Sequence, residues 1–306
     1  MINLDFNSLF ELQKVFNTED KCIKHLEQLR WGDYIISPFD VMSKVYKCKG
    51  GKYRCKNTGK YFNVKTNTLF DNSKIELQKW FCAIWLVTSH KKGISSYQLA
   101  RDISVTQKTA WFMLQRIRKC FGISDDEPKL NGVVEIDETF VGGKNKNRHA
   151  DKKVKYSQGR SFKDKTPVLG MLQRGGKLIA KVIPDTSKKS ISPVIFKSIH
   201  LDSTLYTDEW HGYNLVKKFY RHDFVDHGRK QYANGDVYTN TIEGFWAILK
   251  RGIIGIYHST SRKHLQLYVD EFVFRYNTRK CMESERFNVF LQNMGHRLTY
   301  KQLIYE

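Results

Sequence analysis

Residues 133–253 carry a fixed succession of apolar patterns, and this succession restricts the fold more than any other feature of the chain. In chain order the segments are a strand at 133–140, a hairpin at 167–184, a helix at 191–199, a strand at 203–210 and a helix at 239–253. The strands are short apolar runs, whereas the helices repeat apolar residues every three or four positions. This order predicts an α/β domain built on one sheet.

The chain is strongly basic, with 52 Lys and Arg against 31 Asp and Glu and a formal net charge of +21 at pH 7. Such an excess implies a polyanionic partner, and double-stranded DNA is the first candidate. Charge that serves only solubility is the alternative. No signal-peptide pattern opens the sequence and no run of about 18 apolar residues occurs, so we expect a cytoplasmic location and no membrane partner.

Three carboxylates occupy unusual places in the α/β segments. Asp137 lies within the first apolar strand, Asp208 ends a later strand, and Glu243 lies near the start of the last helix. A carboxylate in or just after a buried strand is costly unless it is paired or bound to a metal. Either aspartate alone could cap a helix or bind an arginine, but the set favours a metal site. Two Mg²⁺ (or Mn²⁺) ions on carboxylate oxygens would support phosphodiester cleavage.

Lys250 follows Glu243 by nearly two helical turns, so both side chains project from one face of the helix. We therefore predict Asp137, Asp208 and Glu243 as metal ligands and Lys250 as a catalytic residue facing the DNA backbone. Trp246, on the same side, is expected to pack rather than to stack on a base. Two further carboxylates lie near Asp137 on the same strand. Glu135 shares its strand face and is the reserve ligand, whereas alternation turns Glu138 away.

Residues 93–121 (GISSYQLARDISVTQKTAWFMLQRIRKCF) predict two helices joined by a tight turn. This is the pattern of a helix-turn-helix, in which the start of the second helix contacts base edges. The expected DNA contacts are Gln107, Lys108 and Thr109. A helix pair used only for packing is the alternative.

A second basic segment lies between residues 144 and 165 and contains few apolar residues. Its composition indicates a loop that touches phosphate, although a merely solvated loop is equally compatible with it. The remaining predicted DNA contacts are Lys144, Lys146, Arg148, Lys152, Lys153, Lys155 and, beside Lys250, Arg251.

Several motifs resemble bacterial insertion-sequence DDE transposases of the ISXO-like type. They are VVEIDETFVGGK, LYTDEWHGY and the long TNTIEGFWAILKRGIIGIYHSTSRKHLQLYVDEFVFRYNTR, while KWFCAIWLVTSHKKGISSYQLARDISVTQKTAWFMLQRIR is similar to the family's helix-turn-helix region. The resemblance covers most of residues 30–280. It implies an RNase H-like catalytic domain, a carboxylate triad followed by Lys, divalent metal, and movement of the element that encodes the chain, by cut-and-paste or copying transposition.

The same resemblance implies the partners and the domain order. The partners would be the terminal inverted repeats, target DNA and further copies of the chain, as a homodimer or higher oligomer in a synaptic complex. The expected segments are N-terminal helices at 1–35, a β module at 36–70, a helix-turn-helix region at 71–124, the catalytic domain at 130–285 and a C-terminal helical tail at 286–306.

The β module departs from the family pattern. Members commonly carry a zinc ribbon with two C-x-x-C pairs, whereas the corresponding segments here read SPFD at 37–40 and CKNT at 55–58. Only Cys55 remains of the four ligands, and Cys48 does not restore a pair. We therefore expect the ribbon's shape without structural zinc, held by aromatic packing of Tyr46, Tyr53, Tyr61 and Phe62.

Two rival functions share parts of this pattern. An RNase H-like nuclease such as a resolvase would use similar carboxylates without joining a 3′-hydroxyl to target DNA. A domesticated, non-catalytic DNA-binding regulator would keep the helix-turn-helix but would have no reason to keep Asp137, Asp208, Glu243 and Lys250. Both remain alternatives to a transposase at the level of sequence.

Overall fold

The computed structural model describes residues 6–122, 128–142, 149–155, 164–225, 233 and 235–305. The chain divides into two compact units, one of Met1–Phe121 with Lys280–Glu306 and one of Gly122–Arg279. The first unit joins the C-terminal segment to the N-terminal part of the chain. The five-segment division given above stays a prediction.

The described elements run in the following order. The helices are α1 (Leu9–Val15), α2 (Glu19–Trp31), α3 (Leu77–Ser89), α4 (Ser96–Asp102), α5 (Gln107–Lys119), α6 (Lys188–Ser198), α7 (Asn240–Gly252), α8 (Leu265–Asn277), α9 (Glu283–Gln292) and α10 (Tyr300–Tyr305). The strands are β1 (Val45–Cys48), β2 (Lys52–Cys55), β3 (Tyr61–Phe62), β4 (Val133–Val141), β5 (Thr166–Gln173), β6 (Leu178–Val182), β7 (Thr204–Asp208) and β8 (Arg221–Val225). Within the described part of the chain, none of these helices has the length and apolarity needed to cross a bilayer.

An aromatic cluster forms the core of the first unit. Phe16, Phe81 and Phe287 bring together the end of α1, the helix α3 and the helix α9, with the Phe16 and Phe81 rings 4.9 Å apart and the Phe81 and Phe287 rings 5.4 Å apart. Edge-to-face contacts of this kind add to the free energy gained from burial. The C-terminal segment is therefore part of this unit's core.

The pair α4 and α5 is capped at both N-termini by its own sequence. Ser95 accepts a hydrogen bond from the Gln98 backbone N–H at 3.1 Å, and Thr106 accepts one from the Thr109 N–H at 3.2 Å. Ser104, in the turn, has a φ of 52°, a left-handed value that tightens the connection between the helices. Residues 93–121 therefore contain two helices joined by a short turn, while their role as a DNA-binding helix-turn-helix stays a prediction.

A three-stranded antiparallel sheet of order β1-β2-β3 forms the β module. Gly50 and Gly51 lie in the three-residue loop 49–51 between β1 and β2, and both have positive φ, 71° and 66°, which glycine adopts without strain. The side chain of Cys55 is buried. Burial by itself raises the pKa of this thiol, but hydrogen bonds from the hydroxyls of Ser37, Ser43 and Thr58 lower it to about 6. Two of these hydroxyls, those of Ser37 and Thr58, lie at positions where the family pattern has zinc-binding cysteines.

The aromatic packing of this module differs in part from the expectation. Tyr53 and Phe62 are buried with ring centroids 5.6 Å apart, but Tyr46 and Tyr61 are exposed. Trp31, from the end of α2, packs in the module instead of these two tyrosines, with its ring centroid 5.4 Å from that of Tyr53. The sequence pattern missed this contact because Trp31 precedes the module in the chain.

The second unit is a five-stranded mixed sheet of order β6-β5-β4-β7-β8. β4, β5 and β6 pair antiparallel, whereas β4, β7 and β8 pair parallel. Buried residues of α6 pack against one face, and those of α7 and α8 against the other. The predicted strand, hairpin, helix, strand and helix are all present, and β8 and α8 complete the layers. This mixed α/β sheet fits the expected RNase H-like domain.

The hydroxyls around Cys55 generate a prediction about zinc. We expect protein purified without an affinity tag to contain far less than one zinc per chain, because a hydroxyl is a poor zinc ligand and Cys55 alone cannot complete a tetrahedral shell. Elemental analysis measures this directly. A chelator should also leave the thermal midpoint unchanged, whereas stoichiometric zinc would return the module to the ordinary ribbon class.

Candidate active site

Parallel pairing of β4 with β7 brings two aspartates to equivalent positions. The register joins Val133 to Thr204 and Glu135 to Tyr206, so two residues further along each strand Asp137 and Asp208 lie side by side. Carboxylate oxygens of Asp137, Asp208 and Glu138 all lie within 4.8 Å of one another. Hard, all-oxygen donors at this spacing suit Mg²⁺ or Mn²⁺. The residues present therefore fit the divalent metal that the sequence predicts.

Glu138 is part of this group, and the expectation that alternation turns it away was wrong. Strand alternation fixes the direction of Cβ, but pairing of β4 with β7 stops at Glu135 and Tyr206. β7 itself ends at Asp208, and the Glu138 carboxylate lies within 4.8 Å of those of Asp137 and Asp208. The buried phenol of Tyr213 lies nearby, where burial and the charges of Glu138, Asp208 and Asp137 hold its pKa well above the usual range.

Asp137 is held against the helix α7. Trp246 donates an indole N–H to Asp137 Oδ2 at 3.0 Å, which confirms that this tryptophan packs within the domain. The ring occupies the space above Gly170, the residue opposite Asp137 on β5, where an added Cβ would lie 2.5 Å from a Trp246 ring atom. Only glycine lets the indole approach the sheet this closely. Gly170 is thus a site residue that its position in an apolar strand did not reveal.

The pKa of Asp137 is raised to about 6, chiefly by burial and next by the charge of Asp208, with a smaller contribution from Glu243 and an opposing one from the Trp246 hydrogen bond. The ionised carboxylates therefore repel one another in a partly desolvated place. A bound divalent cation relieves that repulsion, which is a second reason why the group fits a metal.

The structure places Glu243 in the first turn of α7, exposed, where Thr239 Oγ1 donates to its Oε1 at 3.4 Å. Its charge acts on Asp137, but the tight carboxylate group contains Glu138 instead. Lys250 lies further along the helix. Partial burial lowers the pKa of Lys250, while the carboxylate of Asp137 opposes that shift and Lys165 adds to it. The Lys250 ammonium is therefore close enough to the carboxylate group to interact with it electrostatically.

A cavity of about 510 Å³ adjoins Lys250. Lys165 and Lys250 supply its positive charge, and His258, Ser259 and Thr260 supply further polar groups. Two ammonium groups in the lining favour an anionic ligand such as a phosphate. Ile253 and Ile254, from the turn of π-helix at Ile253–Tyr257, also line the cavity.

Glu135 is saturated by hydrogen bonds rather than open to a metal. Its side chain has no solvent exposure and pairs with Arg174, Nε to Oε1, at 2.9 Å. The backbone N–H groups of Thr241 and Ile242 also donate to it, at 3.1 and 3.2 Å. Glu135 shares the strand face of Asp137 as expected. Because its oxygens already accept these hydrogen bonds, it does not fit the role of reserve metal ligand.

The predicted DNA contacts fall into three groups. Lys108 is exposed at the start of α5, whereas Gln107 is half-buried and donates to Ser96 Oγ at 2.9 Å. Lys153, Lys155 and Arg251 are exposed, and Thr109 is half-buried. Lys144, Lys146 and Arg148 lie outside the described residues, as does the side chain of Lys152.

Comparison with known proteins assigns the second unit to a class. Residues 129–277 match the family described as ISXO2-like transposase domain. A protein in the transposable element ISH50 of Halobacterium salinarum is 29% identical over 277 residues, which cover 86% of this chain and 92% of that protein. A transposase-like protein of Haemophilus influenzae is 26% identical over 102 residues, which cover 33% of this chain and 81% of that protein.

The crystal structure of a pre-cleavage Mos1 transpososome aligns with 94% of this chain and 93% of its own, at 10% identity and a TM-score of 0.26. The assignment rests on the family match and on the relatives. Residues 129–277 are thus similar to the ISXO2-like transposase domain, and the chain as a whole is similar to a protein of an insertion element. The resemblance drawn from the motifs is thereby confirmed.

The pKa of Asp137 generates a prediction about stability. The folded value of about 6 lies above the ordinary 3.8, so the protonated carboxyl stabilises the fold at low pH and that contribution is lost as the pH rises through 6. At pH 7 without metal, Asp137→Asn should raise the free energy of unfolding by about 1–3 kcal/mol, at roughly 1.4 kcal/mol per pKa unit. Chemical denaturation in EDTA at pH 7 and pH 5 measures this.

The gain should shrink at pH 5, and added Mn²⁺ should stabilise the wild type more than the variant. Asp202, whose side chain is 91% exposed, provides the matched control, since Asp202→Asn should change neither quantity. A variant that is less stable than wild type at both pH values would contradict the account of a strained carboxylate.

Proposed function

We propose that the chain is a metal-dependent transposase that binds the ends of its insertion element, cleaves the DNA there and joins a 3′-hydroxyl to target DNA. The observation that supports this most strongly is the group formed by Asp137, Asp208 and Glu138 at the strand ends of an ISXO2-like transposase domain. Asp137, Asp208 and Glu243 are the proposed metal ligands, and Glu138 is a further candidate.

When bound, two Mg²⁺ or Mn²⁺ ions would activate the attacking oxygen and stabilise the leaving one. The chain's own residues orient that chemistry. Trp246 fixes the Asp137 carboxylate through its N–H, and the first turn of α7, which carries Glu243, is bonded to Glu135 of the same strand. Lys250 and Lys165 would hold a phosphate of the cleaved strand in the adjoining cavity.

DNA binding would be shared between the two units. In the first, the exposed Lys108 would reach base edges from the start of α5, with Thr109 beside it. Gln107 would position the helix pair through Ser96 rather than read DNA. Lys153, Lys155 and Arg251, with Lys144, Lys146, Arg148 and Lys152, would contact phosphates without regard to sequence. Assembly as a homodimer or higher oligomer on two DNA ends belongs to the same proposal.

An assay with the element's labelled terminal repeats tests these roles. Asp208→Ala should reduce cleavage and strand transfer to background while DNA affinity stays near wild type, because the change removes metal-ligand oxygens and no basic contact. Lys108→Ala should weaken the preference for cognate over random ends by about tenfold and leave the chemistry of bound ends intact.

Lys119→Ala is the matched control, since Lys119 is exposed at the other end of the same helix and should affect affinity without affecting preference. Three outcomes contradict the proposal. Strand transfer by Asp208→Ala would remove Asp208 from the site. Cleavage by wild type without joining would indicate a nuclease, and specific binding without cleavage would indicate a regulator.

A further inference from the structure

The ion pair of Glu135 and Arg174 lies in the same domain as the carboxylate group and contributes no side chain to it. The Glu135 carboxylate accepts four hydrogen bonds, two on each oxygen. Oε1 accepts from Arg174 Nε at 2.9 Å and from Thr241 Oγ1 at 3.0 Å, and Oε2 accepts from the N–H groups of Thr241 and Ile242 at 3.1 and 3.2 Å. About four lone-pair sites exist on a carboxylate, so this one is fully used.

Two of these bonds cap the helix that carries Glu243. The first N–H groups of a helix have no partner within it, and a side chain of the preceding residue usually accepts one of them. In α7 that residue is Thr239, and its side chain makes no such bond. Glu135 supplies the cap from β4 instead. Its negative charge also suits the positive end of the helix dipole.

Arg174, just after β5, extends the contacts in the other direction. Its two terminal nitrogens donate to the backbone carbonyls of Asp236 and Tyr238, at 2.7 and 3.0 Å. Its guanidinium also lies 3.7 Å from the ring centroid of Tyr238 and 4.8 Å from that of Tyr206. The Arg174 guanidinium therefore binds the segment that leads into α7 and also contacts the ring of Tyr206 on β7. A lysine could not make this set of contacts.

The Glu135–Arg174 pair contacts β4, β7 and α7 at similar positions relative to the proposed metal ligands. Glu135 lies two residues before Asp137 on β4, Tyr206 lies two residues before Asp208 on β7, and Thr241 lies two residues before Glu243 on α7. We propose that the Glu135–Arg174 pair is a positioning device that sets the spacing of the three proposed metal ligands. This inference rests on the proposed function and deepens it, because it identifies the contact that fixes the helix turn carrying the exposed Glu243.

Glu135→Gln tests the device. The amide keeps the shape but places an NH₂ group against donors, so the first turn of α7 loses part of its cap. We expect the Mn²⁺ concentration for half-maximal cleavage to rise about tenfold, as for residues that orient metal ligands, with saturating Mn²⁺ restoring most of the rate. Hydrogen exchange in metal-free protein should show faster exchange at Thr241 and Ile242.

Asn277→Ala is the matched control. Asn277 holds β6 through the Leu178 N–H and C=O, at 2.8 and 3.0 Å, within the same unit but without a contact to the carboxylates. It should lower the thermal midpoint and leave both the Mn²⁺ requirement and the α7 exchange unchanged. If Glu135→Gln does not fold, Arg174→Lys gives the same test with a smaller expected shift.

The outcomes separate the two proposals. Wild type without metal-dependent cleavage would overturn the proposed function. Wild-type cleavage with an unshifted Mn²⁺ requirement in Glu135→Gln, or an equal shift in Asn277→Ala, would overturn the positioning role alone. Unchanged exchange at Thr241 and Ile242 would overturn it as well.

Discussion

Parallel pairing of β4 with β7 is the constraint on which the rest of the second unit depends. It places Asp137 beside Asp208 in a partly desolvated position, where burial and mutual repulsion disfavour ionisation of both carboxylates. The surrounding residues maintain this arrangement: Trp246 donates to Asp137, and Gly170 leaves room for the indole. The fold thus holds repelling carboxylates at fixed places, an arrangement that fits the proposed metal site.

A second constraint joins the sheet to α7. Strand β4 presents Glu135 and Asp137 on one face, and Glu135 caps the helix while Asp137 belongs to the carboxylate group. Glu243 therefore takes its position from the strand as well as from its own helix. The stability lost by burying the Asp137 carboxylate is offset by the hydrogen bonds that its neighbour Glu135 makes. Such compensation is expected next to a strained group at a functional site.

The sequence predicted the order of elements in the second unit because apolar periodicity is local and strong there. It also singled out Asp137 and Asp208, since charges in apolar strands are conspicuous. Glu138, Tyr213 and Gly170 could not be found in this way, because their roles depend on where strands end and on what packs opposite them. Trp31 was missed for the β module for a similar reason. The role of Glu135 depends on a contact with Thr241, more than a hundred residues away in the chain.

The most direct test of a metal site built from these strands is cleavage of the polypeptide by bound iron. Fe²⁺ replaces Mg²⁺ in the purified protein, ascorbate and peroxide generate hydroxyl radicals at the ion, and mass spectrometry maps the broken bonds. The account predicts cuts next to residues 137, 208 and 243 that excess Mg²⁺ suppresses and that are lost when Asp137 and Asp208 are both changed to Asn. Cuts that persist in that double variant, or that cluster elsewhere in the chain, would contradict it.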